Sequence, residues 1–442
     1  MRSPHHRLAA LTLAALPFAC AGTGHAPGRD QVSEGIRSRT GVVLRPEDSG
    51  ASFPPDVSLT DGLTLEEAVA TALWNNPAFE ATLADLGLAR ADLVEAGLLR
   101  NPVLSLLFPV GPKQLEWTLQ FAVDALWQRP RRVAAFTLNA QLVAERLVSQ
   151  GLFFVADVRQ AYVDAAAAEE RVALASRNAE LLKRIAEITE ARLRAGDISE
   201  LEASAARSDS ARMEAALLAL AHDRDAAKVA LISRMGFDTA PGELRLEPGA
   251  EIPFASCGSP EALIEDALAS RPDVRGAELG IEAAGARASW ERTRVVNLIA
   301  MLDANGQGRE GFEMGPGIGL DIPLFARNQG GISRTEAELS RASRAYLAIR
   351  VQVVAEVRTA SIRFEQAQQA ARIWEDEVVP SLELEERQAE SAYRAGEIAL
   401  LSLLDVSRRL VEARIRRLEA SIDQQKAAVA LERSVGHSCA GL

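Results

Sequence analysis

Leu115-Glu116-Trp117-Thr118-Leu119-Gln120-Phe121-Ala122-Val123-Asp124 alternates between apolar and polar residues. In an extended chain Leu115, Trp117, Leu119, Phe121 and Val123 share one face, and Glu116, Thr118, Gln120 and Asp124 the other. Pro102 to Phe108 forms a shorter apolar-rich run upstream, and Pro109-Val110-Gly111-Pro112 supplies a turn. The spacing predicts a β-hairpin over about 102–124. A second hairpin is predicted over about 295–325. There Phe312, Met314, Ile318, Leu320 and Ile322 share one parity, and Glu313, Gly315, Gly317, Gly319 and Asp321 the other. Upstream, Asn297, Asp303 and Asn305 oppose Leu298 and Leu302, and Gly306-Gln307-Gly308 begins the turn. Each run approaches the ~9–11 residues that a tilted strand needs to cross a bilayer. A half-buried strand of a soluble sheet has the same pattern, so the flanking sequence decides.

The flanks are long helices. From about Arg132 to Ala195 there is no proline and one interior glycine, Gly151. A helix of that length extends on the order of 95 Å and must pack sideways against others. The series Leu404, Val411, Leu418 and Ile415, Ile422, Val429 repeats every seven residues, like a coiled-coil seam. Two hairpins between such helices favour a membrane barrel, although a soluble antiparallel coiled coil satisfies the helices alone. Four strands cannot close a membrane barrel, because the smallest have about eight. One chain would leave two unpaired edges in lipid, so the barrel is shared by two, three or four copies.

The chain is one unit written twice. Arg194-Ala195-Gly196-Asp197-Ile198 returns as Arg394-Ala395-Gly396-Glu397-Ile398. Ser233-Arg234-Met235-Gly236 matches Arg433-Ser434-Val435-Gly436. The first repeat is expected over 63–236, as a helix (about Leu65–Leu99), a hairpin, and long helices over about 132–195 and 197–235. A linker follows over 237–258. The second repeat covers 259–436, with a first helix over about Pro260–Arg294 and helical stretches over about 330–395 and 397–434, before a tail at 437–442. Pro380 interrupts the first of these stretches, as a kink or a break between two helices. The fold class is mainly α with a small β part.

Composition limits the function. Aromatics are only 5% while Ala, Leu, Glu and Arg dominate, which suits long helices with small contact faces. A net charge of −12 argues against nucleic acid and suits a duct for cations or neutral solutes. Arg2 and Arg7 followed by Leu8 to Leu16 form an export signal over 1–19. Cys20 sits where a lipoprotein signal places its acylated cysteine, although Pro17 and Phe18 depart from that pattern. Lipidation of Cys20 and plain cleavage nearby both stay open. Cys257 and Cys439 leave a disulfide possible in an oxidising compartment. Residues 20–62, with Pro27, Pro46, Pro54 and Pro55, read as an extended segment. His222 and His437 lie far apart, no Cys-x-x-Cys or Gly-x-Ser-x-Gly occurs, and the carboxylates spread along helix faces. The chain is expected not to be an enzyme and to need no cofactor or metal.

Val379-Pro380, Leu382, Ala389, Ala392-Tyr393-Arg394-Ala395-Gly396-Glu397, Leu403-Leu404-Asp405, Ala413, Leu431-Glu432 and Gly436 resemble the C-terminal half of TolC-family outer-membrane factors. Leu63-Thr64-Leu65-Glu66-Glu67-Ala68 with Asn76-Pro77 resembles that family's opening helix. Asp321-Ile322-Pro323-Leu324-Phe325 and Arg327-Asn328-Gln329-Gly330 are similar to the CzcC-like subgroup serving heavy-metal efflux, whereas Leu126 to Arg132 departs from the Gly-rich counterpart. The resemblance implies a homotrimer in the outer membrane lipid, with a twelve-stranded barrel continuing as an α-barrel into the periplasm. It implies a periplasmic adaptor (membrane fusion) protein and an inner-membrane RND-type pump as partners. Type I protein secretion, or a lipid-anchored coiled-coil scaffold that never inserts, are the alternatives. Gly196 and Gly396 suit turns at positive φ and, as such, are helix caps. The resemblance makes Arg194, Gly196, Asp197, Arg394, Gly396 and Glu397 the tips that meet the adaptor. It makes Asp405, with Glu202 as its first-half counterpart, the pore entrance.

Overall fold

The computed structural model describes residues 26–46, 53–55, 57, 62–108, 110, 115–239, 244–247, 258–306 and 311–437. The expected signal over 1–19, Cys20, Cys257, Cys439 and all of the expected tail but His437 lie outside the described residues. The first half contains α1 (Arg29–Thr40), α2 (Leu65–Asn75), α3 (Pro77–Gly97), β1 (Val103–Leu107), β2 (Leu115–Ala122), α4 (Ala125–Ala195) and α5 (Glu200–Arg234). The second contains α6 (Pro260–Ser270), α7 (Pro272–Thr293), β3 (Leu298–Gly306), β4 (Phe312–Leu320), α8 (Gln329–Arg372), α9 (Val379–Arg394) and α10 (Leu400–Val435).

Proline sets how each half begins. Pro77 and Pro272 push the preceding residue into extended backbone, so Asn76 has ψ 114° and Arg271 ψ 130°. The single opening helix expected in each half is therefore two: α2 and α3, then α6 and α7. The residue before each proline also closes the end of its half. Asn76 Nδ2 donates to Arg234 O at 2.9 Å, and an Arg271 guanidinium N–H donates to Ser434 O at 2.7 Å. These bonds satisfy carbonyls that the ends of α5 and α10 leave without a helical partner.

Three further expectations are corrected. Residues 20–62 are not extended throughout, because 29–40 form α1. Only Val32 and Ile36 are buried on it, too few apolar residues to announce an amphipathic helix. Ile36 packs over Gly151 of α4, where an added Cβ would lie 2.4 Å from Ile36 Cδ1. The lone interior glycine of α4 is thus the notch that receives α1. Second, α4 begins at Ala125, not near Arg132, and absorbs Pro130 early, where its ring removes just one helical bond. At its roughly 1.5 Å per residue α4 extends about 105 Å. Third, the disturbance expected at Pro380 lies just before it: a π-helical turn over Ile373–Val378 precedes α9, and Pro380 falls in the first turn of α9.

The strands form one antiparallel sheet in the order β1-β2-β3-β4. Its central pairing, β2 with β3, joins the two halves. Buried apolar residues gather where the middle stretches of α4 and α8 meet the ends of α5 and α10. Val32, Leu63, Leu73, Leu147, Tyr162 and Leu231 belong to the first-half cluster; Leu263, Val353, Val357, Leu431 and Val435 belong to the second. Val163 and Ala167 of α4 meet Ile422 of α10 and join the helices of the two halves.

Candidate functional site

The register sorts the sheet into two faces. Gln120 pairs with Val103 and Met301, Thr118 with Ser105 and Asp303, and Glu116 with Leu107 and Asn305. Across β4, Asp303 opposes Gly315 and Asn305 opposes Glu313. Paired residues share a face. One face therefore carries Glu116, Thr118, Gln120, Asp303, Asn305 and Glu313, with Val103, Leu107 and Met301 among them, and a hollow over it is lined by most of the polar residues. Thr118 Oγ1 donates to Asp303 Oδ1 at 2.7 Å, and Asn305 Nδ2 to Asp303 Oδ2 at 3.3 Å. The opposite face carries Leu104, Leu106, Leu119, Phe121, Met314 and Ile318, and Ile318 is 74% exposed. Among the described residues β1 and β4 each have one strand neighbour, so the sheet there ends in two open edges.

At the other end of α4 and α9 the two tips have the same geometry. Gly196 has φ 82° and Gly396 φ 79°. Asp197 N donates to Arg192 O and Glu397 N to Ala392 O, both at 2.9 Å, so each turn is a Schellman closure. A Cβ on either glycine would meet nothing within 4 Å, so the positive φ alone requires glycine. Arg194, Asp197, Arg394 and Glu397 are all exposed. Arg394 pairs with Glu390 at 2.5 Å.

The returning helices differ. Ser199 caps α5 in a capping box, in which the Glu202 carboxylate accepts from Ser199 N at 2.9 Å. That backbone bond, with the Ser199 hydroxyl, holds the Glu202 carboxyl below its ordinary value. Ala399 precedes α10 and offers no side-chain cap. Asp405 is 67% exposed and meets Arg409 at 3.3 Å. Glu202 is thus engaged by its own helix start, while Asp405 is presented outward.

Sequence reasoning missed the residues that join the two tips. Arg192 of α4 hydrogen-bonds Tyr393 of α9 and lies over its ring, 5.4 Å from the centroid. Asp209 of α5, nearly buried, pairs with Arg408 of α10 and with Arg212. Ala203, Ala206, Asp209 and Ser210 are all buried on α5. An aspartate inside a run of small residues at helical spacing was the available signal.

Residues 263–437 match the family model described as outer membrane efflux protein. A relative, the cobalt-zinc-cadmium resistance protein CzcC of Cupriavidus metallidurans, is 25% identical over 88% of this chain and 94% of its own length. Over residues 263–437 the chain has the sequence of an outer membrane efflux protein. This efflux protein is also 26% identical, over 69% of its length and 66% of the relative's, to the pyoverdine export outer membrane protein OpmQ of Pseudomonas putida. The solved structure of the outer membrane protein VceC from Vibrio cholerae superposes with a TM-score of 0.70 at 19% identity, covering 85% of this chain and 96% of that one. The efflux protein is a channel of the outer membrane and not an enzyme. Its long helices and four-stranded sheet are those of the solved channels.

Proposed function

We propose that three copies of this efflux protein close one cylinder, and that the cylinder is the exit duct of a tripartite system exporting divalent metal cations. The observation that carries this reading is the sheet, polar on one face, exposed and apolar on the other, and open at both edges. Unpaired backbone is costly in hydrocarbon, so β1 of one copy pairs with β4 of the next. Three copies supply twelve strands, enough to enclose a lumen. The polar face then lines the water, and three copies of Glu116, Asp303 and Glu313 give it a negative potential that favours cations. The relative named for cobalt, zinc and cadmium, which this chain matches along 94% of its length, supports the cation assignment.

The exposed tips, with Arg194, Gly196, Asp197, Arg394, Gly396 and Glu397, dock the periplasmic adaptor of an RND-type pump. Asp405, with Glu202 beside its helix start, marks the entrance. Protein purified in detergent should have the mass of a trimer; a monomer or dimer refutes the closure. A deletion strain should gain sensitivity to cobalt, zinc and cadmium that the wild-type gene restores. A Gly196→Pro, Gly396→Pro double variant should insert normally and restore nothing, because proline cannot adopt positive φ. Restoration by that variant would refute the docking role of the tips, and unchanged metal sensitivity of the deletion strain would refute the cargo.

A further inference from the structure

All four strands meet the helices at one rim. β1 starts, β2 ends, β3 starts and β4 ends there, because Val103 pairs with Gln120, Ala122 with Ile299 and Leu298 with Leu320. Arg100, Arg129, Arg131 and Arg132 flank this rim on the first-half side. None of them forms a direct ion pair with a carboxylate among the described residues. Arg129 donates to Gly97 O at 2.6 Å, and Arg132 to Ala96 O at 2.7 Å and Leu98 O at 2.6 Å. Those bonds complete the carbonyl end of α3. Arg131 is exposed and donates only to Trp127 O, at 3.2 Å. Arg100 is exposed and makes no hydrogen bond or ion pair among the described residues. On the second-half side of the same rim, by contrast, Arg292 pairs with Glu336 at 3.0 Å and Arg294 with Glu291 at 2.8 Å.

Three of the guanidiniums, those of Arg100, Arg129 and Arg132, are close enough to repel. Burial lowers the pKa of Arg132, and the charges of Arg100 and Arg129 lower it further. The one carboxylate acting on them, Glu95, opposes that effect but is outnumbered, and the surplus positive charge calls for an anion. The neighbouring surface says which kind. Leu98, two residues before Arg100, is 59% exposed and Leu126, in the first turn of α4, is 65% exposed, and the chain leaving β4 exposes Leu324 and Phe325 at 66% and 91%. A soluble anion has no use for such apolar neighbours; an amphipathic one does.

We propose that this rim binds an anionic phospholipid of the surrounding leaflet, its phosphodiester on Arg100 and Arg131 and its acyl chain along Leu98 and Leu126. The inference rests on the sheet lying in the bilayer. Arg129 and Arg132, tied to α3, supply potential, while the two freer arginines contact the headgroup. Juxtamembrane arginines attract anionic lipid in this way.

Native mass spectrometry of the full-length protein in micelles doped with phosphatidylglycerol or phosphatidylethanolamine tests this. Wild type should retain phosphatidylglycerol on the order of tenfold better. Arg100→Gln with Arg131→Gln should lose that preference at unchanged oligomeric state, since neither side chain holds α3. Equal retention of both lipids by wild type, or an unchanged preference in the double variant, overturns the inference alone. Free glycerol phosphate that competes as well as the intact lipid also overturns it, because the site would then read soluble phosphate. Failure of the wild type to enter vesicles would overturn the barrel reading, and this inference with it.

Discussion

Tyr162 is buried in α4, and its hydroxyl donates to Leu63 O at 2.9 Å. The same carbonyl accepts from Glu247 N at 3.1 Å, so one oxygen ties α4 to the chain entering α2 and to the link between halves. Burial, then the nearby Glu247 charge, pushes the Tyr162 phenol up to about 12. A raised phenol favours the neutral form in the folded protein. Its contribution is therefore complete below the ordinary value near pH 10 and is lost as pH rises through about 12. Unfolding titrations should show wild type losing about 2 kcal/mol between pH 10 and 12. Tyr162→Phe should be about 1 kcal/mol weaker at pH 8 and lose less above pH 10. Parallel losses in both proteins would remove Tyr162 as the cause. None of this was legible in the sequence, because the partner is a backbone carbonyl 99 positions away. Gly151 was legible only as a tolerated glycine, since its partner Ile36 belongs to a helix with almost no apolar pattern.

Elements with a period were readable, and elements set by a single bond were not. The alternation in β2 and β4 placed both hairpins, because a half-buried strand repeats every two residues. The π-helical turn before Pro380 has no period of its own, so the proline alone signalled a disturbance. The tips fall between these cases. Gly196 and Gly396 announced the turns, and Ser199-x-x-Glu202 is a capping-box signature, which competes with the pore-entrance role given to Glu202. The two repeats diverge here, since Ala399 and Ser402 stand where Ser199 and Glu202 cap α5. The start of α10 is thus held more weakly than the start of α5. Ala399→Ser with Ser402→Glu should build the missing box and stabilise that first turn by about 1 kcal/mol. Hydrogen exchange of the backbone amides at Leu403 and Leu404 should slow roughly fivefold. If exchange there is unchanged while Ser199→Ala accelerates exchange in α5, the asymmetry lies in packing and not in the cap.

The whole molecule exposes more apolar surface than one chain in water explains. Val351, Ile362 and Ile373 are 72%, 60% and 50% exposed, and their numbers rise in steps of 11 along α8 to the first residue of the π-helical turn. Eleven residues are close to three turns of about 3.6, so these side chains form one stripe nearly parallel to the axis. Leu218 and Val229, both 65% exposed, repeat the step on α5. Scattered exposed leucines need no explanation, but a straight stripe along a helix calls for a covering partner. In the proposed ring that partner is the next copy, and the same closure joins β1 to β4. Helix ring and strand barrel then close together or not at all. Ile362→Glu tests this coupling, because Ile362 faces outward and its loss leaves the packing of the single chain intact. Each of the three interfaces would lose about 1.5–3 kcal/mol of apolar burial and acquire a desolvated carboxylate. The variant should keep its helical circular dichroism, run as a monomer in detergent and fail to insert into vesicles. A variant that inserts as a normal trimer would show that the stripe faces water or lumen, and that the strand edges close the barrel without it.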